Sequence, residues 1–242
     1  MFEKYRNTIN CCIDSVLQSQ ASSLNKSSSL ISQTIKKDGL IYIFGCGHSH
    51  ILAEECFYRA GGLACVAPIF YEPLMLHESA SLSSKLEKQS GLAGEVLAQY
   101  QLTKNDLLIC ISTSDKNAVP VELAAAVQKM GIPVIGISSS AYFDDEVHNS
   151  EGKHLHEVCD VWIDNLAEHG DACLHLQGSP VAMAPTSTIA GAFILNSILA
   201  EGAQMALDDG ADVPIYLSGN IPGGAEYNKS LIERYSARIK HL

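Results

Sequence analysis

Basic residues, paired cysteine motifs and tryptophan are all scarce in this 242-residue chain. Only 16 Lys and Arg stand against 27 Asp and Glu, a net charge of −11, and no Lys/Arg cluster occurs. Nucleic-acid binding rests on such clusters, so nucleic acid is excluded as the main partner. A small anion is not excluded, because helix ends and backbone amides bind anions without net basicity. The eight cysteines form no C-x-x-C pair, and most lie in apolar runs such as LLICIS and GLACVAP. They read as small buried thiols in a reducing compartment. There is no Walker lysine motif, which speaks against nucleotide hydrolysis. The beginning, MFEKYRNTINCC, has charges and no apolar stretch of signal-peptide length. No apolar run approaches the ~20 residues of a membrane span. The expectation is a cytoplasmic protein with no membrane partner.

What is present is ordinary globular material, 47% hydrophobic and 18% charged. A chain this long buries roughly 70–75% of its unfolded surface in one sizeable domain. Residues 2–37 carry apolar residues at helical spacing, weakened in the middle by SQASSLNKSSS, so one or two helices are expected. Short, continuously apolar runs follow at Ile41–Phe44, Leu63–Ala67, Asp106–Ile111, Val134–Ile137 and Val158–Ile163. Helical stretches alternate with them: ILAEECFYRAGG, Leu92–Tyr100, Val121–Met130 and the long apolar segment 187–208. A β-like stretch at 213–217 and a last helix near 227–240 complete the chain. Apolar strands alternating with helices indicate an α/β fold, a doubly wound parallel sheet covered on both faces. The expected division is an N-terminal helical segment, 1–37, and an α/β domain, 38–242 with its helical tail.

Two strand-to-helix loops carry chemistry. The first is Gly45-Cys46-Gly47-His48-Ser49. Its glycines let the backbone approach a ligand, Ser49 can cap the helix or bind, and His48 lies within the loop. It lacks the third glycine of a dinucleotide fingerprint. The second is Ser112-Thr113-Ser114-Asp115-Lys116-Asn117. Three consecutive hydroxyls before a helix suit an anion cradle. A third hydroxyl cluster, Pro185-Thr186-Ser187-Thr188, opens the long helix. Open α/β sheets bind ligands at the carboxyl edge of their strands, where these loops lie. One small phosphorylated or polyhydroxylated ligand explains them jointly.

GCGHS followed about 65 residues later by STSDKN resembles the SIS (sugar isomerase) domain, whose signatures are G-x-G-x-S and S-x-S-G. The pieces IPVIGISSS, VCDVWIDN and APTSTIAGAFILN add to the likeness, which spans roughly 35–210 and points to a bacterial branch of single-domain SIS proteins. The resemblance implies a flavodoxin-like three-layer αβα fold, a homodimer or homotetramer, and a sugar phosphate as small-molecule partner. It implies substrate binding by Gly47, His48, Ser49, Ser112, Thr113, Ser114, Asn117 and Thr188. The activity it favours is aldose–ketose isomerisation of a sugar phosphate. An N-acetylmuramate 6-phosphate etherase-like lyase and a non-catalytic phosphosugar sensor are the alternatives. Asp115 stands where the pattern has glycine. A carboxylate there repels a phosphate dianion unless it points away or Lys116 compensates.

Moving a proton between C1 and C2 needs a base. Glu78 and His77, in the segment YEPLMLHESAS read as a loop at the same sheet edge, are the first candidates. Glu55, early on the helix after the glycine loop, is the next, with Glu54 and Glu201 behind it. The pairs His48/His50 and His154/His156 are of a residue type that zinc sites use. They are read instead as surface, hydrogen-bonding or ligand-contacting histidines, with no metal and no cofactor.

Overall fold

The computed structural model describes residues 1–242. Five strands form one fully parallel sheet: β1 Ile41–Gly45, β2 Val66–Pro68, β3 Leu107–Ile111, β4 Val134–Ser138 and β5 Val161–Asp164. Their order is β2-β1-β3-β4-β5. Every residue of β1, β3 and β4 is buried, which is why they read as unbroken apolar runs. Asp106 sets the entry to the sheet: its carboxylate accepts from the Leu40 amide at 2.7 Å and from the Thr103 amide at 2.6 Å. Pro68, which cannot donate to a ladder, ends the edge strand β2.

The helices are α1 Phe2–Ser19, α2 Ala21–Lys36, α3 His50–Cys56, α4 Leu76–Leu86, α5 Leu92–Leu97, α6 Ala118–Lys129, α7 Ser187–Asp208 and α8 Gly224–Tyr235. α2 and α3 pack with α7 on one face of the sheet; α6, with α5 beside it, covers β3 and β4. The N-terminal segment is two helices, separated at Gln20. Its serine-rich stretch spans that junction and, from Ala21 on, lies inside α2, because α2 and α7 approach closely. A Cβ on Gly202 of α7 would stand 2.5 Å from Ile31 Cγ2, and Ser27, Ser28 and Ser32 are buried at this contact. Ile31 and Ile35 of α2 join the same hydrophobic core as the strands. By length and composition α7 could cross a membrane, contrary to the reading that no segment is so long and apolar. Its Ala190, Ile194, Leu195 and Ile198 are buried in this core instead.

Three elements differ from the sequence reading. YEPLMLHESAS is not a loop: a 3-10 turn, Glu72–Leu74, leads into α4. The helix was hidden because it is short, breaks at extended Ser79, and buries a serine rather than a leucine. Ser83 is fully buried and donates to the Leu74 carbonyl at 2.7 Å. The stretch 213–217 forms only an isolated antiparallel bridge, Leu63 to Ile215. A small antiparallel hairpin, β6 Leu174–His175 with β7 Ala182–Met183, precedes α7 and carried no period-2 apolar signal.

Candidate functional site

The chain runs from β1 through α3 to β2 on one side, then crosses back to place β3 on the other side of β1. Between β1 and β3 the two carboxyl-end loops therefore diverge and open a crevice. A cleft of about 400 Å³ lies there. The glycine loop contributes Cys46, Gly47, His48 and Ser49; the hydroxyl loop contributes Ser112, Thr113, Ser114 and Asn117.

The glycine loop is shaped by contacts that only glycine permits. A Cβ on Gly45 would lie 2.7 Å from the Ser49 backbone, and Gly47 has φ +55°. His50, buried beneath the loop, binds the Gly47 carbonyl through Nδ1. In the hydroxyl loop, Asp115 donates its amide to the Ser112 carbonyl at 2.9 Å, closing a tight turn. The amides of Thr113, Ser114, Lys116 and Asn117 donate to no protein acceptor. Thr113 Oγ1 is engaged, accepting from Asn165 Nδ2 at 3.3 Å. The hydroxyls of Ser49, Ser112 and Ser114 have no protein partner, so three hydroxyls and several amides are available to one anionic group.

α4 and its C-cap residue Glu87 form the opposite wall, with Leu76 before the break at Ser79 and Ala80, Ser84 and Glu87 at helical spacing after it. Glu87 is the chemically important member. Its Oε2 lies 3.9 Å from where a Gly47 Cβ would stand, so the carboxylate sits beside the glycine loop. Burial raises its pKa above the usual value, with the Lys88 charge and the Asn117 side chain opposing. The rim is completed by Tyr142, Asp171 and Ser187. Asp171 is committed elsewhere: it accepts from the amides of Thr186 and Ser187, each at 3.0 Å, and from Ser187 Oγ. It thereby caps α7, whose own N-cap residue, Thr186, makes no side-chain cap.

Asp115 points away from the cleft. It has φ +62°, and its fully buried carboxylate accepts from Ser138 Oγ at 2.6 Å and from His156 Nδ1 at 2.6 Å. Lys116 does not compensate for it, being paired with Asp145 at 2.5 Å.

Of the residues singled out in the sequence, Gly47, His48, Ser49, Ser112, Thr113, Ser114 and Asn117 share the cleft. Thr188 lies outside its lining, where its neighbour Ser187 takes part. Glu78 and His77 stand on the first turn of α4, exposed, 3.8 Å from one another and outside the lining. Extended Ser79 breaks the helix between this pair and the turns from Ala80 onward that line the cleft. Glu55 is exposed and pairs with Arg59; Glu54 faces His50 at 3.6 Å; Glu201 is exposed on α7. Glu87 and Asp171 escaped the sequence reading. The signal for Glu87 was its helical spacing from Ala80 and Ser84, visible only once the turns after Ser79 are recognised as helix.

Comparison with known proteins agrees with this architecture. Residues 4–139 match the sequence profile described as SIS domain. A UPF0309 protein of Halalkalibacterium halodurans is 45% identical over 243 residues, spanning 100% of this chain and 97% of the relative. The phosphoheptose isomerase of Neisseria gonorrhoeae superposes with a TM-score of 0.55 at 14% identity, covering 86% of this chain and 97% of that one. The sugar isomerase domain of an RpiR transcription factor from Sphaerobacter thermophilus gives a TM-score of 0.52 at 12% identity, covering 98% of each chain. At these identities the two structures share a fold with this chain and no more. With the profile spanning more than half its length and a near full-length relative, the chain belongs to the SIS domain family.

Proposed function

We propose that the cleft between β1 and β3 binds a sugar phosphate and that the protein interconverts its aldose and ketose forms. The observation that carries this reading is the pairing of an anion cradle with one proton-exchanging carboxyl. Ser112, Ser114 and the unpaired amides of the hydroxyl loop hold the phosphate at the end of β3, with Ser49 binding from the glycine loop. Holding the phosphate away from the reacting carbons turns its binding energy into orientation of C1 and C2. Glu87 takes the proton from C2 of the aldose and returns it to C1, while the O2 hydroxyl proton passes to O1 as the carbonyl moves to C2, with no net change in atoms or charge. Burial raises the pKa of Glu87, which strengthens it as the base for this step.

The lyase reading needs a second free carboxylate. Asp171 is the other carboxylate on the rim, and its oxygens are taken up in capping α7. The sensor reading has support of its own, since a regulator's sugar isomerase domain shares the fold over 98% of both chains. Turnover separates the two. A homodimer or homotetramer is also part of the proposal. A second copy would cover exposed apolar residues such as Val181 and Met183 of the hairpin region and Leu207 of α7. Sedimentation as a monomer would remove that part.

The direct test is thermal unfolding with sugar phosphates, the matching free sugars and inorganic phosphate. A ligand at a hundred times its Kd adds about 2.7 kcal/mol to stability. For a domain of this size that raises Tm by roughly 5–10 °C. Shifts confined to phosphorylated sugars are expected. Shifts with free sugars alone would withdraw the phosphate assignment, and no shift with any sugar phosphate would withdraw the reading.

A further inference from the structure

Behind the hydroxyl loop, on the side away from the cleft, three side chains meet that the proposed reaction does not use. Asp115 comes from the end of that loop; His154 and His156 come from the segment before β5. The two oxygens of Asp115 are treated differently. Oδ1 is saturated, accepting from Ser138 Oγ at 2.6 Å and from the His156 amide at 3.1 Å. Ser138 Oγ is itself held by Trp162 Nε1 at 2.7 Å. Oδ2 faces two imidazoles, His156 Nδ1 at 2.6 Å and His154 Nδ1 at 3.3 Å.

His154 Nδ1 is buried and makes no hydrogen bond, and the residue as a whole is only 9% exposed. An orphaned nitrogen of this kind requires a partner. A single proton shared between Oδ2 and His156 Nδ1 satisfies that pair, while His154 Nδ1, 3.3 Å from Oδ2, still forms no hydrogen bond. A dication satisfies all three donors at once. The ligand atoms lie within 4.8 Å of one another. Two imidazoles and one carboxylate oxygen form an open, borderline-soft set that suits zinc-class ions over magnesium or calcium. The surroundings match such a site. The Trp162–Ser138 chain fixes the carboxylate, and Phe143 stacks on the His156 ring at 3.8 Å between centroids. His156 keeps 26% of its side chain exposed, which provides a way in.

We propose that Asp115, His154 and His156 bind one zinc-class divalent cation, which braces the hydroxyl loop from behind. The site is separate from the cleft, whose lining includes none of the three. It goes beyond the sugar-phosphate reading and stands or falls independently of it. It departs from the expectation from sequence that the histidines bind no metal.

The test uses the full chain, stripped with chelator and titrated with Zn²⁺ or Co²⁺. One equivalent per chain is expected to bind, and zinc at a hundred times its Kd should raise Tm by roughly 5–10 °C. The Co²⁺ form should show ligand-field bands of nitrogen and oxygen ligation and no intense sulfur-to-cobalt charge-transfer band. His154→Gln and His156→Gln should each weaken binding at least about 100-fold, in line with the loss of a ligand rather than of a more distant support. His148→Gln, at an exposed histidine, should leave binding unchanged. No stoichiometric binding by the wild-type chain overturns the proposal. So does a sulfur charge-transfer band, or undiminished affinity in both histidine variants. If a histidine variant fails to fold, the wild-type Co²⁺ spectrum still decides.

Discussion

Replacing Asp115 by glycine sets two effects of opposite sign against each other. Asp115 adopts φ +62°, a region that costs an L-residue about 1 kcal/mol and glycine almost nothing. Relief of that strain alone would stabilise the variant. Against it stand the bonds that the fully buried carboxylate accepts from Ser138 Oγ, the His156 amide and His156 Nδ1. A hydrogen bond to a charged group contributes roughly 1.5–3 kcal/mol. Counting only the two on Oδ1, since the half-buried His156 ring can rehydrate, the loss is roughly 3–6 kcal/mol. The loss wins by about 3 kcal/mol, a fall in Tm of roughly 6–12 °C. The assay is thermal unfolding in the presence of chelator, so that no cation contributes. Sugar-phosphate affinity should stay within about twofold, because the carboxylate lies behind the loop and a unit charge facing away adds little in a hydrated cleft. A variant as stable as the wild type would refute the hydrogen-bond reasoning. A tenfold gain in phosphate affinity would refute the placement of the carboxylate.

Other predictions concern Glu87, Glu122 and Gly45. Glu87→Gln should retain ligand binding and lower turnover about 10²–10⁴-fold, the usual contribution of acid–base catalysis; unchanged turnover would remove Glu87 from the mechanism. Because the folded state raises the pKa of Glu87, the wild type gains stability from this group fully below its unfolded pKa and loses it as pH rises through the folded value. Glu87→Gln should therefore gain in Tm relative to wild type as pH rises through that window, and a pH-independent difference would contradict the linkage. Burial pushes the Glu122 carboxylate up, but donations from Ser90, Gly91 and Ser150 overcome this and hold it below its usual range. Glu122→Gln should cost about 2–3 kcal/mol at neutral pH. Its sign is the reverse of Glu87: the deficit should shrink as pH falls through the folded pKa, which urea unfolding at a series of pH values would show. Gly45→Ala places a Cβ 2.7 Å from the Ser49 backbone and should displace the glycine loop. Loss of sugar-phosphate binding is expected, and calorimetry showing wild-type affinity would show the loop to be tolerant.

The sheet was legible in the sequence because its central strands are buried on both faces, and burial writes itself as unbroken runs such as IYIF, LLICI and VIGIS. The two loops were legible because glycines and hydroxyls at strand ends are local signals of backbone approach and capping. The helix α4 was not, since its hidden residue is Ser83 and its cleft face mixes leucine, alanine, serine and glutamate. Glu78 was the carboxylate singled out in the linear text, and only the folded structure decided that Glu87 meets the glycine loop. The direction of Asp115 depended on a single left-handed φ and on His156, which reaches it from 41 residues away. Sequence by itself determined the family, the parallel α/β class and the glycine and hydroxyl loops at the strand ends, because propensity and burial act over a few neighbouring residues. Tertiary structure alone decided which carboxylates face the cleft and which side chains gather behind it. Those choices are made by segments that meet only when the sheet closes.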